Sequence, residues 1–296
     1  MNSYVLAVIL GIVEGLTEFL PVSSTAHLRI LQDWANQQWP YLHCGLEDPY
    51  WKMFAIVIQL GAILTLPIYF RKRIAKFLST FPKGERGDRT IWTHPLSLTM
   101  IAFVCTAGPA FLMTKVIGKH LESLYIMSGS LIIGGVIMWV VDALYEKGVL
   151  KGTTDHMEDM SFGQAVWIGI CQIASAVFPG TSRSMSTIAA GQLVNMSRTS
   201  ALEFSFFLSI PTMAAATVYD LFKSIHGSHG EPSALGSITF NAQSWILLGI
   251  GFVVSFIVAY GVVAWFMNWV RTRGFVPFAI YRILAGAVVL WWAMKK

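Results

Sequence analysis

Residues 14–27 read EGLTEFLPVSSTAH, and residues 172–184 read QIASAVFPGTSRS. Each stretch lies inside an apolar segment, and the two align at a constant spacing of 158 positions, which pairs Pro21 with Pro179 and Ser24 with Ser182. The first stretch carries carboxylates and a histidine, whereas the second carries an arginine and a glycine turn. We interpret the pair as a duplicated element whose copies have divided the groups of one polar site inside a membrane.

The composition supports a membrane protein, because 55% of the residues are hydrophobic and only 12% are charged, against about a quarter charged in a soluble domain. No stretch shows the period-two alternation of a transmembrane barrel strand. The sequence therefore predicts an all-α, polytopic membrane protein, and its net charge, concentrated in loops, indicates no nucleic-acid partner. Apolar stretches of spanning or near-spanning length cover 53–70, 97–114, 124–141, 162–182, 204–219, 244–270 and 275–294.

The distribution of charge predicts the orientation of these segments. Loop 71–95 holds seven basic and two acidic residues, and the positive-inside rule places it in the cytoplasm together with 271–273, while 220–243 lies outside. Both basic loops can lie in the cytoplasm only if an even number of crossings separates them. This requires the segment 162–196 to enter the membrane and return on the same side. The acidic loop 142–160 also falls in the cytoplasm, against the rule.

We therefore predict two halves, residues 1–145 and residues 161–296, within a single membrane domain. Each half has one re-entrant helical hairpin followed by three spanning helices. An odd number of crossings inverts the second copy relative to the first, so the two hairpins enter from opposite faces and meet near the midplane.

The first box carries Glu14 and Glu18, which lie four residues apart and so share one helix face. Intramembrane carboxylates indicate a functional site, such as a metal-binding or general-base pair, and the alternative is an ion pair that fixes helix packing. Ser23, Ser24 and Thr25 follow a proline that ends regular helix, and each hydroxyl serves either as a nucleophile or as an interhelical hydrogen bond. His27 is either a satisfied polar residue or a proton donor or nucleophile.

The second box places Arg183 inside a turn that opens a helix. Backbone N–H groups, hydroxyls and a guanidinium together favour binding of a phosphate, and we expect Gly180 to supply the turn conformation. Glu203 and Arg282 each open or interrupt an apolar segment, and they either pair with one another or line the polar cavity. Asp142 and Asp220 lie at segment ends, where we expect solvated caps.

The two boxes resemble the signature motifs of the undecaprenyl-diphosphate phosphatase family, the bacitracin-resistance proteins. The similarity extends through Gln59, Glu203 and the stretch ending at Arg282, over nearly the whole chain. The resemblance implies a multi-pass enzyme of the bacterial cytoplasmic (inner) membrane, with its site open to the periplasm. It would remove the terminal phosphate of undecaprenyl diphosphate, recycle the lipid carrier of peptidoglycan synthesis and confer bacitracin resistance.

The resemblance also implies roles for individual residues and a divalent cation, Mg²⁺ or Ca²⁺, held by Glu14 and Glu18. The family usually has Gly-Ala-Thr after the Ser-Arg-Ser of the second box, whereas this chain has Met185, a departure that puts the closest backbone approach in doubt. The implied catalytic residues are Glu14, Glu18, Ser24, His27 and Arg183; the implied phosphate-binding residues are Ser23, Thr25, Gly180, Thr181, Ser182 and Ser184; and the supporting residues are Gln59, Glu203 and Arg282.

The mechanism stays open at this level. Ser24, activated by Glu18 or His27, is the preferred nucleophile, His27 itself is the rival, and direct attack by water is the third alternative. The expected partners are a polyprenyl diphosphate and membrane lipids, with a homodimer left open. The rival function is a polyprenyl-phosphate transporter or flippase, or a dual phosphatase and flippase, because inverted halves also build transporters.

Overall fold

The computed structural model describes residues 1–45, 48–113, 123–226, 238 and 241–295. Over these ranges the regular structure is helical, apart from one isolated bridge between Thr154 and Met196. The predicted all-α class is therefore confirmed. The helices are α1 (Ser3–Thr17), α2 (Ser24–Gln38), α3 (Pro49–Tyr69), α4 (Arg71–Thr80), α5 (Pro95–Leu112), α6 (Leu124–Glu146), α7 (Phe162–Val177), α8 (Arg183–Leu193), α9 (Arg198–His226), α10 (Ala242–Thr272) and α11 (Val276–Lys295).

Six helices among the described residues, α3, α5, α6, α9, α10 and α11, are long and apolar enough to cross a membrane. The protein is thus a multi-pass membrane protein, as its composition predicts. Two shorter apolar helices, α1 and α7, are each followed within a few residues by a second helix. These two helix–turn–helix pairs occupy the positions of the predicted hairpins. Their depth and their direction of entry remain predictions.

One compact unit consists of residues 1–19, 24–69 and 212–263. Glycines on α1 and α3 bring these helices against the backbone of α10. A methyl group at Gly11, Gly15 or Gly61 would lie only 2.9, 2.8 or 2.6 Å from a carbonyl oxygen of α10. Small residues allow such close helix contacts in membranes, where van der Waals packing replaces the hydrophobic effect.

The second compact unit consists of residues 20–23, 70–211 and 264–296. Here α7 packs closely on α5, because Gly169 faces the Ala102 carbonyl and the Thr106 hydroxyl donates to the Gly169 carbonyl at 2.7 Å. Helices α6 and α11 are equally close, since a methyl group at Gly135 would lie 2.9 Å from the Ala279 carbonyl oxygen. This second contact matters for the site, because α11 carries Arg282.

Both units draw residues from both predicted halves of the sequence. Helix α1 packs on α10, a helix of the second half, and α7 packs on α5, a helix of the first half. Each short hairpin helix therefore packs against a spanning helix of the opposite half. The division into halves 1–145 and 161–296 stays a prediction about a repeat in the sequence. It does not describe the compact units of the fold.

The basic loop and the acidic loop, both predicted to be cytoplasmic, are joined by ion pairs. Arg73 contacts Glu158 at 2.9 Å, and Arg89 contacts Asp159 at 3.0 Å. Glu158 and Asp159 thus neutralise arginines of 71–95, which accounts for acidic residues on the predicted cytoplasmic side. The contact requires both loops to share one face of the membrane.

Candidate active site

The first turn of the site separates α1 from α2. Glu14 lies in the last turn of α1 and Glu18 caps it, and both are buried, with 1% and 9% of their surfaces exposed. The Glu18 amide still donates to the Glu14 carbonyl at 2.9 Å, so helical geometry continues through Glu18. The two carboxylates therefore lie on the same face of one helix, as their spacing predicts.

Ser24 is the first residue of α2, and its hydroxyl donates to Oε2 of Glu18. A hydroxyl bonded to a buried carboxylate is the pairing that a serine nucleophile and its general base require. The preceding residue, Ser23, has φ of 72°, in the left-handed region that a non-glycine residue rarely adopts. Such strained positions are concentrated at functional sites, where surrounding contacts maintain them.

The second turn, residues 178–182, separates α7 from α8 and contains Gly180, whose φ is 91°. A methyl group there would lie 2.7 Å from the Met127 carbonyl oxygen, so both backbone conformation and space require glycine. Ser182 then caps α8, and its hydroxyl oxygen accepts from the Met185 amide at 3.4 Å. The first N–H groups of a helix are suited to an oxyanion. Phosphate binding at this turn stays a prediction.

The two turns correspond with a shift of one residue from the sequence alignment. Ser23 and Ser182 both have positive φ, and each immediately precedes a helix. Ser24 and Arg183 are therefore the equivalent first residues of α2 and α8, at a spacing of 159 rather than 158 positions. The candidate nucleophile of one copy thus takes the position of the phosphate-binding arginine of the other.

Arg282, on α11, joins the two turns. It is fully buried, with none of its surface exposed, and its Nη1 donates to the Pro21 carbonyl at 3.1 Å. Its Nη2 donates to the carbonyls of Gly180 and Thr181 at 3.0 and 2.9 Å. A buried guanidinium without hydrogen bonds would be very costly, so these carbonyls fix where the side chain lies.

A second bond links the same two turns directly. Ser184 is buried, and its hydroxyl donates to the Leu20 carbonyl at 2.9 Å. Because that proton is used, the 3.1 Å contact between the hydroxyls of Ser182 and Ser184 has Ser182 as its donor. Leu20–Ser23 of the first box and Gly180–Ser184 of the second are thus held together within one unit, as the sequence predicts for the two boxes.

Comparisons with known proteins assign the chain to a family. The family model described as "Bacitracin resistance protein BacA" matches residues 7–288. The chain belongs to the BacA family. A protein of Koribacter versatilis (strain Ellin345) named undecaprenyl-diphosphatase is 64% identical over 296 residues, covering all of both chains. A protein of the same name from Caldanaerobacter subterraneus subsp. tengcongensis is 39% identical, covering 100% of this chain and 98% of the relative.

The remaining predicted residues of this BacA-family chain differ in exposure. His27 is half-buried on α2, Thr25 is exposed beside it, and Gln59 is half-buried on α3. Thr181 and Arg183 are half-buried at the second turn. The positions are compatible with the predicted roles in binding and catalysis, which stay predictions.

The pairing considered between Glu203 and Arg282 does not form. Glu203 contacts Arg73, while Arg282 donates to backbone carbonyls. The physical reason is that the turns supply the buried Arg282 with neutral carbonyl acceptors, whereas Arg73 on α4 lies within reach of Glu203. Glu203 therefore contributes to the ion pairs of the 71–95 loop.

Met185, the departure from the family pattern, is accommodated inside the protein. Its side chain is buried against Gly134 of α6, where a methyl group would lie 2.7 Å from the methionine Cε atom. The side chain thus points towards a glycine of a neighbouring helix. The family chemistry at the turn is compatible with this larger residue because Gly134 makes room for it.

Asp142 is the important residue that sequence reasoning missed. The expected solvated cap is wrong, because the side chain is completely buried and accepts four hydrogen bonds. Its donors come from α8, α9 and the start of α11, which the sequence places far away. Gln192, Arg198 and Gly274, which surround Asp142 in the fold, all lie near helix ends in the sequence. No local sequence pattern connects them with Asp142.

Glu14 and Glu18 are the residues that fit a divalent cation. No group of three or more histidine, cysteine or acidic side chains suited to a metal is found over the described ranges. Two carboxylates match the mode in which Mg²⁺ is bound by one or two protein carboxylates together with substrate phosphates. The donor set thus suits a cation that arrives with a diphosphate, rather than one held in a closed protein cage.

Proposed function

We propose that this BacA-family protein is a phosphatase that hydrolyses undecaprenyl diphosphate to undecaprenyl phosphate and inorganic phosphate. Relatives named undecaprenyl-diphosphatase match it over its whole length. The observation that carries the proposal is the bond from the Ser24 hydroxyl to the Glu18 carboxylate. This is more than binding alone requires, because it places a base on a nucleophile.

The proposed reaction has two steps. The Ser24 oxygen forms a bond to the terminal phosphorus while Glu18 takes the hydroxyl proton, and the bridging P–O bond breaks with undecaprenyl phosphate leaving. Water then attacks the phosphoserine and gives its proton to His27. Glu18 returns the first proton to the Ser24 oxygen as the bond between that oxygen and phosphorus breaks, and inorganic phosphate is released. Splitting one displacement into two easier ones is the usual advantage of covalent catalysis.

The second turn and Arg183 bind the phosphate oxygens in this proposal. The N-terminal amides of α8 and a guanidinium fork stabilise the charge that spreads over the transferring phosphoryl group. Arg282 takes no part in that charge stabilisation, because its Nη atoms are directed to backbone carbonyls. Its role is to fix the two turns against one another.

A divalent cation, Mg²⁺ or Ca²⁺, belongs to the proposal as a ligand of Glu14 and Glu18. When bound, it would neutralise phosphate charge and act as a Lewis acid. The cation takes no part in the proton transfers, which the proposal assigns to protein side chains.

The apolar tail of the substrate sets where the reaction takes place. Burying a methylene is worth about 0.8 kcal/mol, so a long polyprenyl tail stays in the bilayer and its diphosphate enters from the side. We place the enzyme in the bacterial inner membrane with the site open to the periplasm. There it would recycle the lipid carrier of peptidoglycan synthesis, and extra activity would oppose bacitracin, as the family name suggests.

The alternative of a polyprenyl-phosphate transporter or flippase, alone or combined with hydrolysis, is not favoured. Full-length relatives carry the name of a diphosphatase.

Phosphate release from a polyprenyl diphosphate by purified protein in detergent tests the proposal, because no bilayer is present for transport. We expect activity in the wild type and its loss in Ser24→Ala, Glu18→Gln and Arg183→Ala. Ser79→Ala removes an exposed hydroxyl that donates to the Lys76 carbonyl of its own helix, and it should leave the rate unchanged. Full activity in Ser24→Ala would end the serine mechanism.

Trapping the covalent intermediate separates Ser24 from its rival. Phosphoserine survives acid quenching, whereas phosphohistidine is hydrolysed by acid. We expect an acid-stable phosphate on the peptide that contains Ser24. An acid-labile phosphate on His27 would instead establish the histidine as nucleophile.

A further inference from the structure

Asp142 lies at the junction of four helices, within the same compact unit as the two turns. It stands near the end of α6 with no exposed surface. Its Oδ2 accepts from the amides of Phe275 and Val276 at 2.7 and 3.3 Å. The carboxylate therefore caps the first turn of α11, where backbone N–H groups have no partners inside the helix.

The other carboxylate oxygen is bound from two more helices. Oδ1 accepts from Nε of Arg198 at 2.7 Å and from Nε2 of Gln192 at 3.2 Å. Arg198 begins α9 and Gln192 lies near the end of α8. A buried carboxylate with four donors is held firmly in one orientation, because losing a hydrogen bond would leave a charged oxygen without water or a protein donor in its place.

Space around the cap is as restricted as its bonding. A methyl group at Gly274 would overlap Oδ2 of Asp142 and lie 2.7 Å from Nη2 of Arg198. No larger residue fits at Gly274 without displacing the carboxylate or the guanidinium. The capped conformation at the start of α11 is thus fixed by bonding and by packing together.

The start of α11 determines where Arg282 lies. Arg282 follows Val276 by six residues, about 9 Å along the helix axis. A rigid helix transmits rotation or translation of its first turn over that distance with little loss. Arg282 in turn bonds three carbonyls of the two turns, at Pro21, Gly180 and Thr181.

We propose that Asp142 is a positioning residue for the phosphatase reaction, which sets α11 so that Arg282 holds the two turns in register. The inference rests on the proposed function of those turns. Asp142 touches neither substrate nor nucleophile, and it acts through Arg282. The chain of contacts from Asp142 to α11 and from Arg282 to the turns lies within one compact unit.

The test compares Asp142→Asn with wild type at equal amounts of folded, detergent-purified protein. A merely structural role would lower the yield of folded enzyme but leave kcat per folded molecule unchanged. We expect kcat to fall about 10- to 100-fold with a smaller change in KM, since small misplacements at a reacting centre are costly. Glu146→Gln is the control, because it removes the exposed second partner of Arg198 and should leave kcat unchanged.

A double-mutant cycle tests whether the effect passes through Arg282. We expect Asp142→Asn to cause no further loss in a protein that already carries Arg282→Lys, because coupled residues are non-additive. Losses that multiply would overturn the inference. Full kcat in folded Asp142→Asn would also overturn the inference. If Arg282→Lys is impaired in the same assay, the proposed phosphatase function is unaffected by that result.

Gly274→Ala supplies an independent variant where Asp142→Asn is not recovered in folded form. The added methyl group should displace the Asp142 carboxylate and reproduce the same loss of kcat. Wild-type kcat in folded Gly274→Ala contradicts the inference. If Arg282→Lys itself keeps the wild-type rate, the anchoring role within the proposed function fails instead.

Discussion

Arg282 donates from Nη1 to the carbonyl oxygen of Pro21 at 3.1 Å, across 261 positions of sequence. The same guanidinium bonds Gly180 and Thr181 of the second box. One buried side chain near the C-terminus therefore fixes the backbone of two turns that lie far apart in the sequence. The arrangement explains why an arginine interrupts an apolar helix at a membrane position where its charge is costly.

Arg282→Lys should abolish most activity although it preserves the charge. Lysine presents one compact ammonium in place of a planar fork, so it cannot reach carbonyls on both turns. We expect a loss in kcat of about 100-fold, measured on folded protein by phosphate release. Arg271→Lys, at an exposed arginine on α10, is the control, and equal rates for the two variants would contradict the anchoring role.

Ser24→Ala and Glu18→Gln should each remove nearly all activity, and the double variant should be no worse than either. Residues that act as one nucleophile–base unit are strongly non-additive. Initial rates of phosphate release at saturating substrate measure the effect. Independent, multiplying losses would show that the Ser24–Glu18 bond is structural.

Gly180→Ala should lower both activity and stability. Its φ of 91° and the 2.7 Å approach to the Met127 carbonyl leave no place for a methyl group. We expect a stability loss of about 1–3 kcal/mol, read as a lower apparent Tm in detergent. Gly163→Ala on α7 is the matched control, because no atom of the described residues would lie within 4 Å of the added methyl group. Helix propensity also favours alanine over glycine there.

His94 should make the protein less stable in mild acid. Burial lowers the pKa of His94, whose Nδ1 accepts from the Leu96 amide as a helix cap. Below about pH 6.5 the imidazole of the unfolded chain binds a proton that the folded state disfavours. The free energy of unfolding therefore decreases as the pH is lowered below that value, and His94 does not affect it at higher pH. Apparent Tm measured between about pH 7.5 and 5.5 tests this.

His94→Asn is the matched variant for that measurement, because asparagine can still cap α5 but does not titrate. We expect its Tm to change less with pH than that of the wild type. Parallel curves for the two proteins would assign the acid sensitivity to other groups.

Chelation of divalent cations should stop phosphate release, and Mg²⁺ or Ca²⁺ should restore it. The two buried carboxylates of Glu14 and Glu18 are the proposed ligands. Glu14→Gln should therefore raise the cation concentration needed for half-maximal activity, because one charged ligand is lost. Undiminished activity in chelator would remove the cation from the mechanism.

Much of the fold follows from local features of the sequence. The apolar stretches predict the six spanning helices, and Pro21 and Pro179 mark the two turns that interrupt helical structure. The carboxylates of the first box also share a helix face, because their spacing fixes it. These features depend on hydrophobicity and backbone restrictions that act over a few residues.

The site needed more than local features. The alignment places Ser24 opposite Ser182, whereas the helix starts place it opposite Arg183. Glu203 pairs with Arg73 rather than with Arg282, and Asp142 is a buried cap rather than a solvated one. The partners of Glu203 and Asp142 depend on which distant groups the fold brings within bonding distance of a buried carboxylate.

The sequence by itself determined a helical membrane protein with two similar polar turns. It also identified the acids, hydroxyls and arginine of those turns as the candidate site residues. Only the tertiary structure decided that Arg282 holds those turns and that Asp142 holds the start of its helix. The physical reason is that helix formation is governed by neighbouring residues, whereas hydrogen bonding of a buried charge depends on whichever backbone the whole fold brings within 3 Å or so of it.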